Sequence, residues 1–301
     1  FIDRFAGRPA RTTLDPIKIL DAPALRVTPT GQVRVDLAGH SLAEVIREEF
    51  RARVRPSSPR TLAAAYAEGR DPVVRAAIVP KGAGPASGVI AWESAGTSTI
   101  GDARVDRYRL YHGEHLVIPL LHIHRDPSAR RRAVLALALE GKVGPADWAE
   151  VRRRLDAGEE VVSFDLRGVG ENRMRYRAAS GDDPTLAEAD EARAYFNPLS
   201  GVLANHVYNS LLTGRPYLLE AIEDVEIVSR FAREKLGLAG VVLAPSASAR
   251  GLAAAAAQVL PGLEIEPAAD VPPFRWADVV EQMRETWPIQ YLLPGGAALD
   301  R

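Results

Sequence analysis

The sequence contains no cysteine among its 301 residues. This absence excludes disulfide bonds, cysteine nucleophiles, thiolate zinc sites and iron–sulfur clusters. An excess of one charge is also missing, since 38 Lys and Arg residues accompany 39 Asp and Glu residues and leave a formal net charge of −1. A chain so balanced has no general attraction for nucleic acid or for an anionic membrane, and we expect neither as a partner.

Long hydrophobic runs are lacking as well. The longest alanine-rich stretch, Leu252 to Leu260, has about half the length that a bilayer requires, so we expect no membrane span. With 47% hydrophobic residues, the composition is that of an ordinary globular protein. The composition does not decide in which cellular compartment the protein resides.

The composition changes near residue 80, which predicts two parts, residues 1–80 and residues 81–301. The first part is rich in arginine and has one strong helical pattern, over residues 40–54, with a second helix expected over 61–69. The apolar side chains at helical spacing are Leu42, Val45, Ile46 and Phe50. We find no catalytic pattern here and expect a helical arm or linker that packs against the main body or a neighbouring subunit, as in a homo-oligomer.

The second part alternates strands with helices. Residues 108–111 and 115–124 predict a β-hairpin with a turn at Gly113-Glu114. Continuous apolar runs predict buried, neighbouring strands at 133–139, 161–164 and 241–244, with a short strand at 263–266. Helical patterns cover residues 148–158 and 217–236 and an alanine-rich stretch ending at Leu260. This order predicts an α/β fold with a mainly parallel sheet flanked by helices, preceded by the arm and short in its C-terminal part.

Three stretches within about 150 residues carry a resemblance to a known family. Residues 133–172 resemble the region of α/β-hydrolases that runs from an oxyanion loop, through a helix and a strand, to a D-x-R-G-x-G motif, here Asp165 to Gly170. Residues 241–257 stand where such proteins place a strand, a nucleophile elbow and a buried helix. Residues 214–237 resemble the helix before that elbow in acetyl xylan esterase-like members. The resemblance implies an α/β-hydrolase fold.

Ser246 is the candidate nucleophile of that elbow. A strained strand-to-helix turn needs small residues two positions on either side of the nucleophile, and Ala244 and Ser248 meet this need. The resemblance then implies an oxyanion held by the N–H of Ala247 and by that of Gly141 or Lys142. The alternative for Ser246 is an N-cap hydroxyl for the following helix. Glu140, which replaces the family's histidine beside Gly141, would disfavour an oxyanion unless it points away or pairs with Lys142.

The catalytic base is the weakest part of the resemblance. The superfamily's chain order is nucleophile, acid, histidine, yet all six histidines lie at or before His206. His206 is the remaining imidazole near the site, with a hydrogen-bonded residue near a helix start as its alternative. Asp270 is the acid we nominate, with a solvated loop carboxylate as its alternative. Two functions stay open: a serine carboxylic-ester hydrolase acting on a small ester, or an inactive binding or assembly module with a degenerate triad.

Neither a metal nor a cofactor is expected. His112, His115, His122 and His124 cluster in sequence, but His115 lies on the opposite strand face and about 23 Å along the strand from His122. A site made from His122 and His124 alone stays as an alternative. Gly168-Val169-Gly170 is not a dinucleotide loop, because Arg173 takes the third glycine position. We expect Asp165 and Arg167 to fix the loop after their strand.

The stretch FIDRFAGRP, residues 1–9, resembles the last helix of a preceding hydrolase domain. This resemblance alone implies an upstream hydrolase domain as an alternative partner to a second copy of the chain. The resemblance to acetyl xylan esterase-like proteins, by itself, favours an extracytoplasmic location.

Overall fold

The computed structural model describes residues 7, 19–53, 90–112, 116–125, 132–174, 195–197, 201–212, 216–260, 262–267, 274–282, 287–293 and 296–299. The expected helix at 61–69, the boundary near residue 80, the turn at Gly113-Glu114, and the residues His115 and Asp270 lie outside these ranges. The chain divides into two compact units, Phe1–Ala52 and Arg53–Arg301.

The first unit contains the helices α1 (Val33–Asp36) and α2 (Leu42–Arg53) after a 3-10 turn at Ala22–Leu25. The predicted helix over 40–54 is thereby confirmed. Ser41 and Glu44 form a reciprocal capping box at its start: the Ser41 N–H donates to Glu44 Oε2 (2.6 Å), and the Glu44 N–H donates to Ser41 Oγ (3.2 Å).

Seven strands of the second unit form one sheet in the order β1-β2-β3-β5-β4-β6-β7. They are β1 (Ala91–Ile100), β2 (Ala103–His112), β3 (Leu116–His124), β4 (Arg132–Leu137), β5 (Glu160–Phe164), β6 (Gly240–Pro245) and β7 (Glu264–Ile265). The pairs from β1 to β5 in this order are antiparallel, and those from β5 to β7 are parallel. The predicted neighbours β5, β4 and β6 are confirmed, as is the antiparallel pairing of the predicted hairpin.

Five α-helices of this unit are described: α3 (Trp148–Asp156), α4 (Val202–Leu212), α5 (Tyr217–Glu234), α6 (Arg250–Val259) and α7 (Trp276–Gln282). Short 3-10 turns lie at Pro145–Asp147, Gly170–Asn172, Ala247–Ala249, Ile289–Tyr291 and Gly296–Leu299. Within the described ranges, every helix is too short or too polar to cross a membrane.

The sheet buries both of its faces in separate apolar cores. On β4, Leu135 and Leu137 belong to the large core shared with α5 and α6. Val161 of β5 points to the other face and packs with Val151 and Leu155 of α3 in a smaller core. Because successive side chains of a strand alternate between faces, the continuous apolar runs reflect burial on both sides. The carboxyl ends of β4, β5 and β6 meet at one edge, where the candidate site lies.

Candidate functional site

Asp165 fixes two loops at the carboxyl edge of the sheet. It follows β5, is fully buried, and accepts hydrogen bonds from the Lys142 N–H (2.7 Å), from Lys142 Nζ (2.5 Å) and from the Glu171 N–H (2.9 Å). Gly170 makes room for the carboxylate: its φ is +58°, and a Cβ there would lie 2.0 Å from Asp165 Oδ1. The loops after β4 and β5 are thus held together by one buried carboxylate.

Arg167 connects the same loop to α5. Its guanidinium donates to Asp224 Oδ1 (2.5 Å) and to Glu223 Oε2 (2.9 Å), while its backbone N–H donates to Asp224 Oδ2 (2.9 Å). Burial alone would lower the pKa of Arg167, but the surrounding carboxylates raise it above its ordinary value. The structural role predicted for Asp165 and Arg167 is confirmed.

Ser246 directly follows β6, and its N–H donates to the Leu137 carbonyl at the end of β4 (2.8 Å). Its backbone is relaxed, with φ −60° and ψ 166°, unlike the strained turn that activates an elbow serine. The side chain makes no capping hydrogen bond either. Instead, Ser246 Oγ lies 3.0 Å from Ser248 Oγ, and Ser248 donates to Glu140 Oε1 (3.0 Å). The candidate nucleophile therefore belongs to a Ser-Ser-Glu chain.

Of the two arrangements in which Glu140 would not disfavour an oxyanion, pairing with Lys142 is not the one that the structure shows. Lys142 Nζ is bound by Asp165 and by Glu171 (2.6 Å), which leaves Glu140 to accept from Ser248. Since the Lys142 N–H also donates to Asp165, it is not available for an oxyanion in this arrangement. Within the described ranges, the N–H groups of Gly141 and Ala247 have no hydrogen-bond acceptor.

A pocket of about 210 Å³ opens beside Ser246, on the face of the sheet that α3 covers. Ser246 and Gly141 both line it, so the structure brings these two predicted residues together. Its remaining walls are mostly apolar and include Val134, Ala136, Val161 and Ala244. No histidine is among the residues that line it.

The polar wall of the pocket contains Arg154, whose side chain is 10% exposed. Arg154 donates to Glu150 (2.8 Å), to Glu159 (3.1 Å) and to both carboxylate oxygens of Glu266, one at 2.6 Å. The hydrogen bonds to Glu266 raise the pKa of Arg154 despite its burial. The Arg154 guanidinium thus pairs with three carboxylates of the protein itself.

His206 lies within α4 rather than at a helix start, and it does not join the pocket. Its ring packs edge-on against Tyr217, with centroids 5.6 Å apart, and close to Gly168. Burial and the nearby Arg167 lower the pKa of His206, and its Nε2 is buried without a hydrogen-bond partner in the described ranges. β4 separates β5, which leads into the loop of Gly168, from β6, which leads into Ser246, so these two strands lie about 10 Å apart.

Two features of the site could not be predicted from the sequence. Ser248 holds both Ser246 and Glu140, and the Tyr291 hydroxyl donates to its carbonyl. Burial raises the pKa of Tyr291 to about 12. Neither contact has a sequence signal, because Glu140 and Tyr291 are far from Ser248 along the chain.

Comparison with solved structures identifies the fold. A candidate acetyl xylan esterase from Bacteroides fragilis NCTC 9343 matches 88% of this chain and 72% of its own, with 12% identity and a TM-score of 0.58. Acetyl xylan esterase 1 from Thermoanaerobacterium sp. JW/SL YS485 matches 74% of this chain and 61% of its own, with 15% identity and a TM-score of 0.42. No protein-family model and no curated protein matches the sequence. The first likeness shows that the chain has an α/β-hydrolase-like fold, as predicted.

Proposed function

We propose that this chain is an α/β-hydrolase-like module that binds a small carboxylic ester beside Ser246 and hydrolyses it slowly or not at all. The observation that carries the proposal is the hydrogen bonding of Ser246. Its hydroxyl lies against Ser248, which is bonded to Glu140, and no imidazole lines the pocket.

Ester binding is supported by the composition of the pocket. Its apolar walls suit an acyl group, and the N–H groups of Gly141 and Ala247, without acceptors in the described ranges, suit a carbonyl oxygen. The solved structure that shares the fold is described as a candidate acetyl xylan esterase, which makes an ester the first ligand to test.

Slow turnover is supported by the missing base. A serine hydroxyl needs an adjacent general base to become a strong nucleophile. A site that keeps its oxyanion donors but lacks a triad member retains only about 10³ to 10⁴-fold catalysis over water. The Glu140 carboxylate near Ser246 further disfavours a developing oxyanion.

The second candidate is a serine carboxylic-ester hydrolase with Ser246, His206 and Asp270 as its triad. The observation that favours it is the buried Nε2 of His206, which has no partner among the described residues. Burial and Arg167 lower the pKa of this imidazole, which favours the neutral form that a general base needs. Asp270 has no described position, and a movement of the loop at Gly168 would be needed to bring His206 to Ser246.

Hydrolysis of p-nitrophenyl acetate by the wild-type chain, Ser246→Ala and His206→Ala separates the two candidates. We expect the three rates to agree within about threefold. A wild-type rate a thousand times that of Ser246→Ala, with an equal loss in His206→Ala and a pH profile rising through the imidazole range, would establish the esterase.

Binding needs its own test, which saturation-transfer NMR with an acetylated sugar supplies. Ala136→Leu places a larger side chain in the pocket wall, and we expect it to abolish the signal. Ala146→Leu, an exposed position outside the pocket lining, is the matched control and should retain the signal. Equal signals from both variants would contradict ester binding in this pocket.

A further inference from the structure

A second polar cluster lies on the face of the sheet that α5 covers. It contains His122 and His124 of β3, Asp106 of β2 and Glu160 of β5, each at most 8% exposed. The Ser246 pocket lies on the opposite face of the sheet, the face that α3 covers, so the cluster is separate from that pocket.

The strand register brings these four side chains together. Asp106 pairs directly with His122 across β2 and β3, and His124 lies two residues further on the same face. The imidazole rings stack with centroids 4.4 Å apart. His122 Nε2 lies 2.6 Å from Glu160 Oε2, and His124 Nε2 lies 3.0 Å from Asp106 Oδ2.

One ligand atom from each of Asp106, His122 and His124 lies within 4.8 Å of the others. Donors that share a tetrahedral zinc ion at about 2.0–2.2 Å lie roughly 3.3–3.6 Å from one another. Side-chain movements of up to about 1.5 Å would therefore bring the three atoms to coordination distance. Glu160 Oε2 lies 2.6 Å from His122 Nε2, closer than two ligands of one ion, and would move away from that nitrogen to serve as a fourth donor.

The buried negative charge of the cluster favours binding of a cation. Asp106 bonds Arg104 (2.9 Å), whose side chain is 54% exposed, and accepts from Thr97 Oγ1 (2.5 Å). Among the described residues, neither Lys nor Arg pairs with the buried Glu160, whose partner is His122. Protonating both imidazoles would place two positive charges in stacked rings, which is unfavourable. In addition, His124 Nδ1 is buried with no hydrogen-bond partner in the described ranges. A divalent cation would neutralise the carboxylates while leaving both imidazoles neutral.

We propose that Asp106, His122, His124 and Glu160 form a structural site for Zn²⁺ or a similar transition-metal ion. Two imidazole nitrogens with carboxylate oxygens favour such ions over Mg²⁺ and Ca²⁺, which prefer oxygen ligands alone. The deep burial leaves no open position for a substrate, and the ion would join β2, β3 and β5. Asp106 and Glu160 reach the two histidines only through the pairing of β2, β3 and β5, so a site from His122 and His124 was the most that the sequence alone offered.

Titration of the chelator-treated 301-residue chain with Co²⁺, followed by visible absorption, tests this site. We expect one equivalent to bind with the intense bands of a low-symmetry site, and Zn²⁺ but not Mg²⁺ to displace it. His124→Gln and Asp106→Asn should each weaken binding at least about tenfold. The controls His40→Gln and Asp21→Asn, which change exposed residues of the other unit, should bind like wild type.

Absence of Co²⁺ binding to the wild-type chain would overturn the proposal, and so would equal affinities in the wild type and both cluster variants. Should a cluster variant fail to fold, imidazole ¹⁵N resonances of the wild type keep the question decidable. One equivalent of Zn²⁺ should shift those of His122 and His124 while His40 and His112 stay unchanged. Shifts confined to His40 or His112 would refute the site.

Discussion

Gly170→Ala tests the assignment of Asp165 as the residue that holds the loops after β4 and β5. Gly170 has φ +58°, where alanine is strained by about 1–2 kcal/mol. The added Cβ would also lie 2.0 Å from Asp165 Oδ1, so the carboxylate must leave its partners. Separating a buried ion pair costs about 3–5 kcal/mol. We therefore expect the free energy of unfolding to fall by about 4–7 kcal/mol.

Gly158→Ala is the matched control for this experiment. Gly158 has a similar φ of +79°, but an added Cβ there would meet nothing within 4 Å. Its cost should be the backbone strain alone, about 1–2 kcal/mol. Urea denaturation followed by tryptophan fluorescence gives both values. Equal destabilisation by the two substitutions would refute the role assigned to Asp165, as would an undiminished Gly170→Ala effect in an Asp165→Ala background.

Two further predictions concern the residues around this loop. Arg167→Met should lower the free energy of unfolding, measured by urea denaturation, by about 3–5 kcal/mol, because it leaves Asp224 buried without its partner. The control Arg153→Met breaks only an exposed pair with Glu150 and should cost under about 1 kcal/mol. Because burial and Arg167 lower the pKa of His206 in the folded state, the unfolded chain binds a proton near pH 6.5 that the folded chain does not. The contribution of His206 to the free energy of unfolding should be fully present above that pH and should fall as the pH drops below it. NMR titration of the imidazole and the pH dependence of unfolding of His206→Gln measure this effect. A pKa of His206 at or above 6.5 in the folded protein would contradict it.

The parallel half of the sheet could be predicted because its strands carry their own signal. β4, β5 and β6 are continuous apolar runs, since each is buried on both faces. β1 gave no such signal. Almost all residues of β1 are exposed, and they include Gly96 and the polar run Thr97 to Thr99. Hydrophobic alternation is therefore absent from its sequence, although the strand pairs with β2 along its length.

The candidate site was predictable in position but not in chemistry. The pattern of small residues placed Ser246 at the strand-to-helix turn, and Ser246 and Gly141 line the same pocket. The relaxed backbone of Ser246 and its contact with Ser248 depend on the packing of α6, which local sequence does not specify. Likewise, the meeting of Asp106 with His122 depends on a hairpin register that composition does not reveal.

The state of the Ser246 hydroxyl is the central claim, and intact-mass analysis after treatment with a fluorophosphonate measures it directly. Such reagents modify serine hydroxyls that a base has activated, so the reaction reports activation independently of any chosen ester. We predict that the wild-type chain gains the phosphonyl mass no faster than Ser246→Ala does. Rapid, stoichiometric labelling of the wild type at the peptide containing Ser246, absent from Ser246→Ala, would contradict this account.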